Sequence, residues 1–174
     1  MSKGTEALIF PSSYDAGRKW LFLHGFYGVV GGVAGCLYPD FTMEMMDPML
    51  TLIEQYTGLP HFYPTTVEEN RLLVYALAFA IGIGAIYLVY AGPLWNRGGK
   101  ALVEGSIWTR IAYVLGAYAL CFGTPYGSSL LFSVATVDVL SIFAMKFSIG
   151  ASWGDLVRGQ TRIVNINVAA AKKK

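Results

Sequence analysis

The sequence predicts an all-α fold, a polytopic integral membrane four-helix bundle with a short amphipathic helix in the loop after the first span. Three observations predict it. Charged residues make up 14% of the chain and hydrophobic residues 55%, whereas a typical soluble domain carries about 25% charged residues. Mean hydropathy is +0.49. The apolar residues gather in four stretches, each close to the roughly 20 helical residues that cross a hydrocarbon core of about 30 Å. An open strand in lipid leaves its backbone groups unpaired, so the stretches are helices. At 174 residues the chain forms one domain, residues 1–174.

The residues before Trp20 do not read as a signal peptide, because Glu6, Pro11 and Asp15 interrupt any apolar run after Lys3. They also lack the Arg-rich, acid-poor pattern of a transit peptide. The first span covers residues 20–38, from Lys19 at its border to the stop at Pro39. The amphipathic helix covers about residues 48–57. Asp47-Pro48 makes an Ncap–N1 pair, Met49, Leu50, Leu52, Ile53 and Tyr56 follow a helical stripe, and Gly58 suits the stop. Residues 59–64 form an extended, aromatic connector.

The second span covers residues 72–91. Thr66 and Glu69 precede it at capping-box spacing, and Gly92-Pro93 ends it. The third covers residues 102–122, before Gly123-Thr124-Pro125, and the fourth residues 129–147, before Gly150. A polar tail, residues 150–174, follows. Trp153 and Arg158 suit headgroup level, and Asn165–Ala171 reads as loose.

Charge orients the spans. Lys3, Arg18, Lys19, Arg97, Lys100, Arg158, Arg162 and Lys172–Lys174 fall on the side that holds both termini. The other side carries Arg71 as its basic residue against Asp40, Glu44, Asp47, Glu54, Glu68 and Glu69. The positive-inside rule places both termini in the cytoplasm, or in an organelle matrix or stroma. The bacterial inner membrane, mitochondrial inner membrane and endoplasmic reticulum are not distinguished. A net charge of +2 is too balanced for nucleic-acid binding.

Helix packing is expected from Gly28 and Gly32, from Gly31 and Gly35, and from Gly82, since small residues let helices approach in lipid. They serve either the contact of spans one and two or a seam with another subunit. An intramembrane polar cluster is expected from Arg110, Asp138, His24, Tyr113 and Ser141. Arg110 lies about 12 Å and Asp138 about 15 Å from the inner ends of their spans at 1.5 Å per residue, so an ion pair between them is geometrically reasonable. Such groups fix helix register, line a pocket for a lipid headgroup or polar ligand, or serve an ion path.

His24 and His61 cannot ligate one haem together, because His61 lies in the outer loop. Met43, Met45, Met46 and Met49 are soft donors that suit Cu(I), but the favoured reading is adaptable packing. Cys36 and Cys121 lie near the outer ends of their spans, where a disulfide is open to question. No metal or other cofactor is expected, and the polar pocket leaves room for a bound lipid. No nucleophile–base pair, metalloprotease motif or phosphate loop is present, so the reading leans away from an enzyme.

Trp108-Thr109-Arg110 with Tyr113 in span three and Val137-Asp138-Val139 in span four resemble the DoxX-like family of small four-helix membrane proteins. The layout is also similar to the sterol-biosynthesis scaffold family. The resemblance covers residues 20–147 and implies assembly rather than catalysis. The leading expectation is a non-catalytic accessory or scaffold subunit of a larger membrane complex, bioenergetic in one version, whose partners are membrane lipids and other membrane subunits. The alternatives are a lipid-modifying enzyme or lipophilic-ligand binder that uses the polar pocket, and a small transporter.

Overall fold

The computed structural model describes residues 13–64 and 66–158. Lys3, Arg162 and the terminal lysines lie outside them, as does Asn165–Ala171. The described residues are helical, without strands: α1 (Ser13–Leu37), α2 (Pro39–Thr57), α3 (Val67–Ala91), a π-helical turn (Trp95–Gly99), α4 (Lys100–Gly123), α5 (Ser129–Ile149) and α6 (Trp153–Arg158). Three stretches are long and apolar enough to cross a membrane: Ala16–Leu37, Glu69–Ala91 and Ser129–Ile149. The helix α4 is as long, but it carries Lys100, Glu104 and Arg110 and is not one of these three.

The helix α2 departs from expectation. It starts at Pro39, with Tyr38 as N-cap, and runs through Pro48. Asp47 therefore caps nothing, and the predicted start at residue 48 is nine residues late. Pro39 suits the first turn, where its missing N–H costs nothing. Pro48 removes an interior bond, but Met43 and Leu50 on either side of it are both buried on one face. Tertiary packing of that face outweighs the local penalty. Gly58 ends the helix in the left-handed conformation, at φ 69°, as its position suggested. The Thr66–Glu69 capping box is present in both directions at the start of α3.

The most extensive contact joins α1 to α3, antiparallel. A Cβ on Gly25 would stand 2.8 Å from the Gly84 carbonyl oxygen, and a Cβ on Gly84 would stand 2.8 Å from that of Gly25. The two backbones meet directly. Gly28, Gly32 and Gly35 continue the seam toward Ala80, Ile81 and Leu77. Gly31 and Gly82 do not share it, because a Cβ there meets nothing within 4 Å. Helices α4 and α5 form a second antiparallel pair, and α1 packs on both. The two pairs thus share α1 as a common wall, while α3 scarcely touches α4 or α5.

Two apolar cores lie at opposite ends. The larger, at the basic end, contains Leu21, Tyr87, Trp95, Val103, Ile107, Met145 and Ile149. Arg18 closes that end of α3: its Nε donates to the Ala91 carbonyl at 2.6 Å, and its guanidinium stands 5.6 Å from the Trp95 ring centre. A cation there meets unpaired carbonyls at a helix C-terminus. The smaller core joins Met43, Leu50 and Leu73 at the acidic end. There the connector is tied to α5, since the Ser129 amide donates to the Pro60 carbonyl and the Phe62 amide donates to the Ser129 hydroxyl.

Candidate functional site

Between the two cores the surface is cut by an open cleft. A cleft of about 790 Å³ separates α3 from α4 and α5, with α1 behind it. Leu73, Leu77, Ala80 and Ile83 of α3 form one wall, Leu131 and Val134 of α5 the other, and Met46 with Phe62 cover the outer end. Its volume lies in the range of small-molecule pockets, which are mostly apolar with a few polar groups.

The polar groups gather at the inner end. Arg110 of α4 donates through Nη1 to Asp138 of α5. Their side chains are 14% and 18% exposed. Arg110 also stands 5.9 Å from the centre of the Tyr87 ring of α3, close enough for a cation–π contact. Arg110 therefore bridges the two walls where their backbones stay apart. Its Nε is buried and has no hydrogen-bond partner among the described residues. Tyr113, one helical turn along, lines the cleft and keeps part of its side chain accessible.

His24 stands beside this group without joining the ion pair. Its Nδ1 is 2.9 Å from the Trp20 carbonyl oxygen and its Nε2 is 3.1 Å from the Ser141 hydroxyl. A carbonyl only accepts, so Nδ1 carries the hydrogen; in the neutral ring Nε2 then accepts from Ser141. Ser141 thus serves α1 rather than its helical neighbour Asp138. The hydroxyl also lies 2.9 Å from the Val137 carbonyl, an alternative acceptor within its own helix. Thr109, also on the lining, donates to the Ser106 carbonyl.

The other predicted residues stand elsewhere. Met43 is 1% exposed and Met45 69%, while Met46 packs on the smaller core and Met49 is exposed, so the four methionines of α2 stand in different surroundings. Cys36 and Cys121 are free thiols on different helices, with Sγ 3.6 Å from the Val74 carbonyl and 3.9 Å from the Ser128 carbonyl. His61 had been set aside as a loop residue. Its Nε2 lies 2.9 Å from Asp47 and its Nδ1 3.5 Å from Glu54, which holds the connector to α2. Those three residues sit at spacings that carry no motif. The roles of Ser129 and Arg18 have no sequence signal either. No protein-family model, curated protein or solved structure matches the chain.

Proposed function

We propose that the chain is an integral membrane protein whose four spans are α1, α3, α4 and α5, and that it binds a lipophilic molecule in the cleft. The carrying observation is the open cleft between two well-packed ends, with apolar walls and a polar inner end. Packing usually closes helical interfaces, so a gap of this size beside a paired charge is a place for a guest. The weak contact between α3 and α4 gives the cleft a side opening toward lipid. Pairing of Arg110 with Asp138 supports α4 as a span, because its charge is met inside the bundle. Arg18, Lys19, Arg97 and Lys146 at one end, and Asp40, Glu44, Asp47 and Glu54 at the other, support termini in the cytoplasm, matrix or stroma.

The test is photolabelling in nanodiscs with a lipid that carries a diazirine near its acyl terminus. Labels are expected on Leu77, Ala80 or Val134. Labels spread evenly over the outward faces of α1 and α5 would defeat the reading.

An accessory subunit of a membrane complex is the second reading. Gly31 and Gly82 favour it, since both leave open room on α1 and α3 for a helix of another subunit. The remaining glycines of the seam are used within the chain. Gentle extraction should then retain a protein partner that Gly31→Leu or Gly82→Leu releases; a monodisperse monomer without a partner contradicts it.

A further inference from the structure

We propose that the guest is an uncharged lipid whose headgroup presents carbonyl oxygens, of an ester or a quinone, to Arg110 and Tyr113. The inference rests on the reading of the cleft as a lipophilic site and adds the chemistry of the head.

Donors exceed acceptors at the inner end. A guanidinium has five N–H groups and no acceptor. Asp138 accepts from Nη1, Nε is sealed away from the cleft, and the 14% of the Arg110 side chain that stays accessible belongs to a residue of the lining. Tyr113 is 39% exposed and lines the cleft, so its hydroxyl can turn toward a guest. Of the acceptors nearby, Asp138 Oδ1 is engaged by Arg110, the Trp20 carbonyl by His24, and the Ser106 carbonyl by Thr109. Covering accessible donors with an apolar chain would leave them unpaired, so a guest gains most by bringing acceptors.

Charge narrows the class. Arg110 and Asp138 neutralise each other, and no second lysine or arginine lines the cleft. An anionic head would meet Asp138 with its charge uncompensated. It would also have to leave the interface for a depth of about 15 Å along α4, where a charge is expensive. A carbonyl head avoids both costs. The apolar walls accept its chains, and the gap between α3 and α4 lets it enter from the bilayer without crossing water.

The experiment measures equilibrium retention of tritiated probes by the full chain in nanodiscs, against empty discs. The probes are dioleoylglycerol, a decyl-substituted benzoquinone, dioleoyl phosphatidylglycerol and squalene. One of the two carbonyl probes should bind at least about tenfold more tightly than phosphatidylglycerol and squalene, and which of them does so identifies the source. Tyr113→Phe should weaken that probe by roughly two- to tenfold, the range for one neutral hydrogen bond. The double variant Arg110→Leu/Asp138→Leu, which keeps the cleft neutral, should reduce it to the level of squalene. If squalene binds as well as the carbonyl probes, or phosphatidylglycerol binds best, the headgroup assignment fails and the lipophilic cleft stands. If no probe exceeds empty discs, both fail.

Discussion

Removing either partner of the Arg110–Asp138 pair should destabilise the protein, and the two losses should respond differently to pH. Both side chains are largely buried, at 14% and 18% exposure, so solvent screening offers little relief. Asp138→Ala leaves a guanidinium that cannot lose its proton, and breaking a buried pair in this way costs about 3–5 kcal/mol. Arg110→Ala leaves a carboxylate, which can take up a proton. Protonating an ordinary carboxylate costs about 4 kcal/mol at pH 7 and about 1.5 kcal/mol at pH 5. The Arg110→Ala loss is therefore capped, and the cap falls with pH, whereas the Asp138→Ala loss does not. The double alanine variant leaves no orphan charge and should recover roughly 3 kcal/mol relative to the sum of the single losses. Reversible unfolding in mixed micelles, followed by circular dichroism at pH 7 and pH 5, measures all four corners. Losses that add within about 0.5 kcal/mol, or that share one pH dependence, would refute the pairing.

Gly84→Ala should lower stability by about 1–3 kcal/mol, because its Cβ would meet the Gly25 carbonyl at 2.8 Å and two backbones must separate. Gly82→Ala faces open space and should be neutral or stabilising by up to about 1 kcal/mol, so thermal unfolding of the pair tests the seam. Ser129→Ala should cost about 1–3 kcal/mol, since it strands the Phe62 amide, whereas Asp47→Asn and Glu54→Gln at the half-exposed His61 contacts should each cost under about 1 kcal/mol. Equal losses at all three sites in chemical denaturation would contradict that ranking. On a Cys36→Ser/Cys121→Ser background, a cysteine at Asn96 should react with an impermeant maleimide from the termini side, and one at Tyr56 from the opposite side. Labelling of both from one side would overturn the four-span topology.

The helical class was legible because its signal is local. Long apolar runs, Gly92-Pro93 and the Thr66–Glu69 box each act within a few residues. The Arg110–Asp138 pairing was legible for a related reason: helix rise converts sequence position to depth, and a tight turn forces α4 and α5 together. The start of α2 was not, because Asp47-Pro48 carries a strong local start signal that burial of Met43 and Leu50 on one face overrides. The glycines were only half legible. Spacing marks Gly28 and Gly32 as well as Gly31 and Gly35, but the face that meets α3 depends on rotation of α1 about its axis, which leaves Gly31 outside. His24 is expected in one polar cluster with Arg110 and Asp138, whereas its bonds run to Trp20 and Ser141. The cleft itself has no signature in the chain, since it arises from a contact that α3 does not make.

The most direct test of the account is native mass spectrometry of the full chain released from lipid nanodiscs, compared with Val134→Trp. Val134 lines the cleft wall one helical turn from Asp138, and an indole there would narrow the cleft. The account predicts one tightly retained lipid per chain in the native protein and its loss in the variant, with helicity unchanged. A native chain that sheds every lipid under mild activation, or a Val134→Trp variant that retains the same lipid, would contradict it.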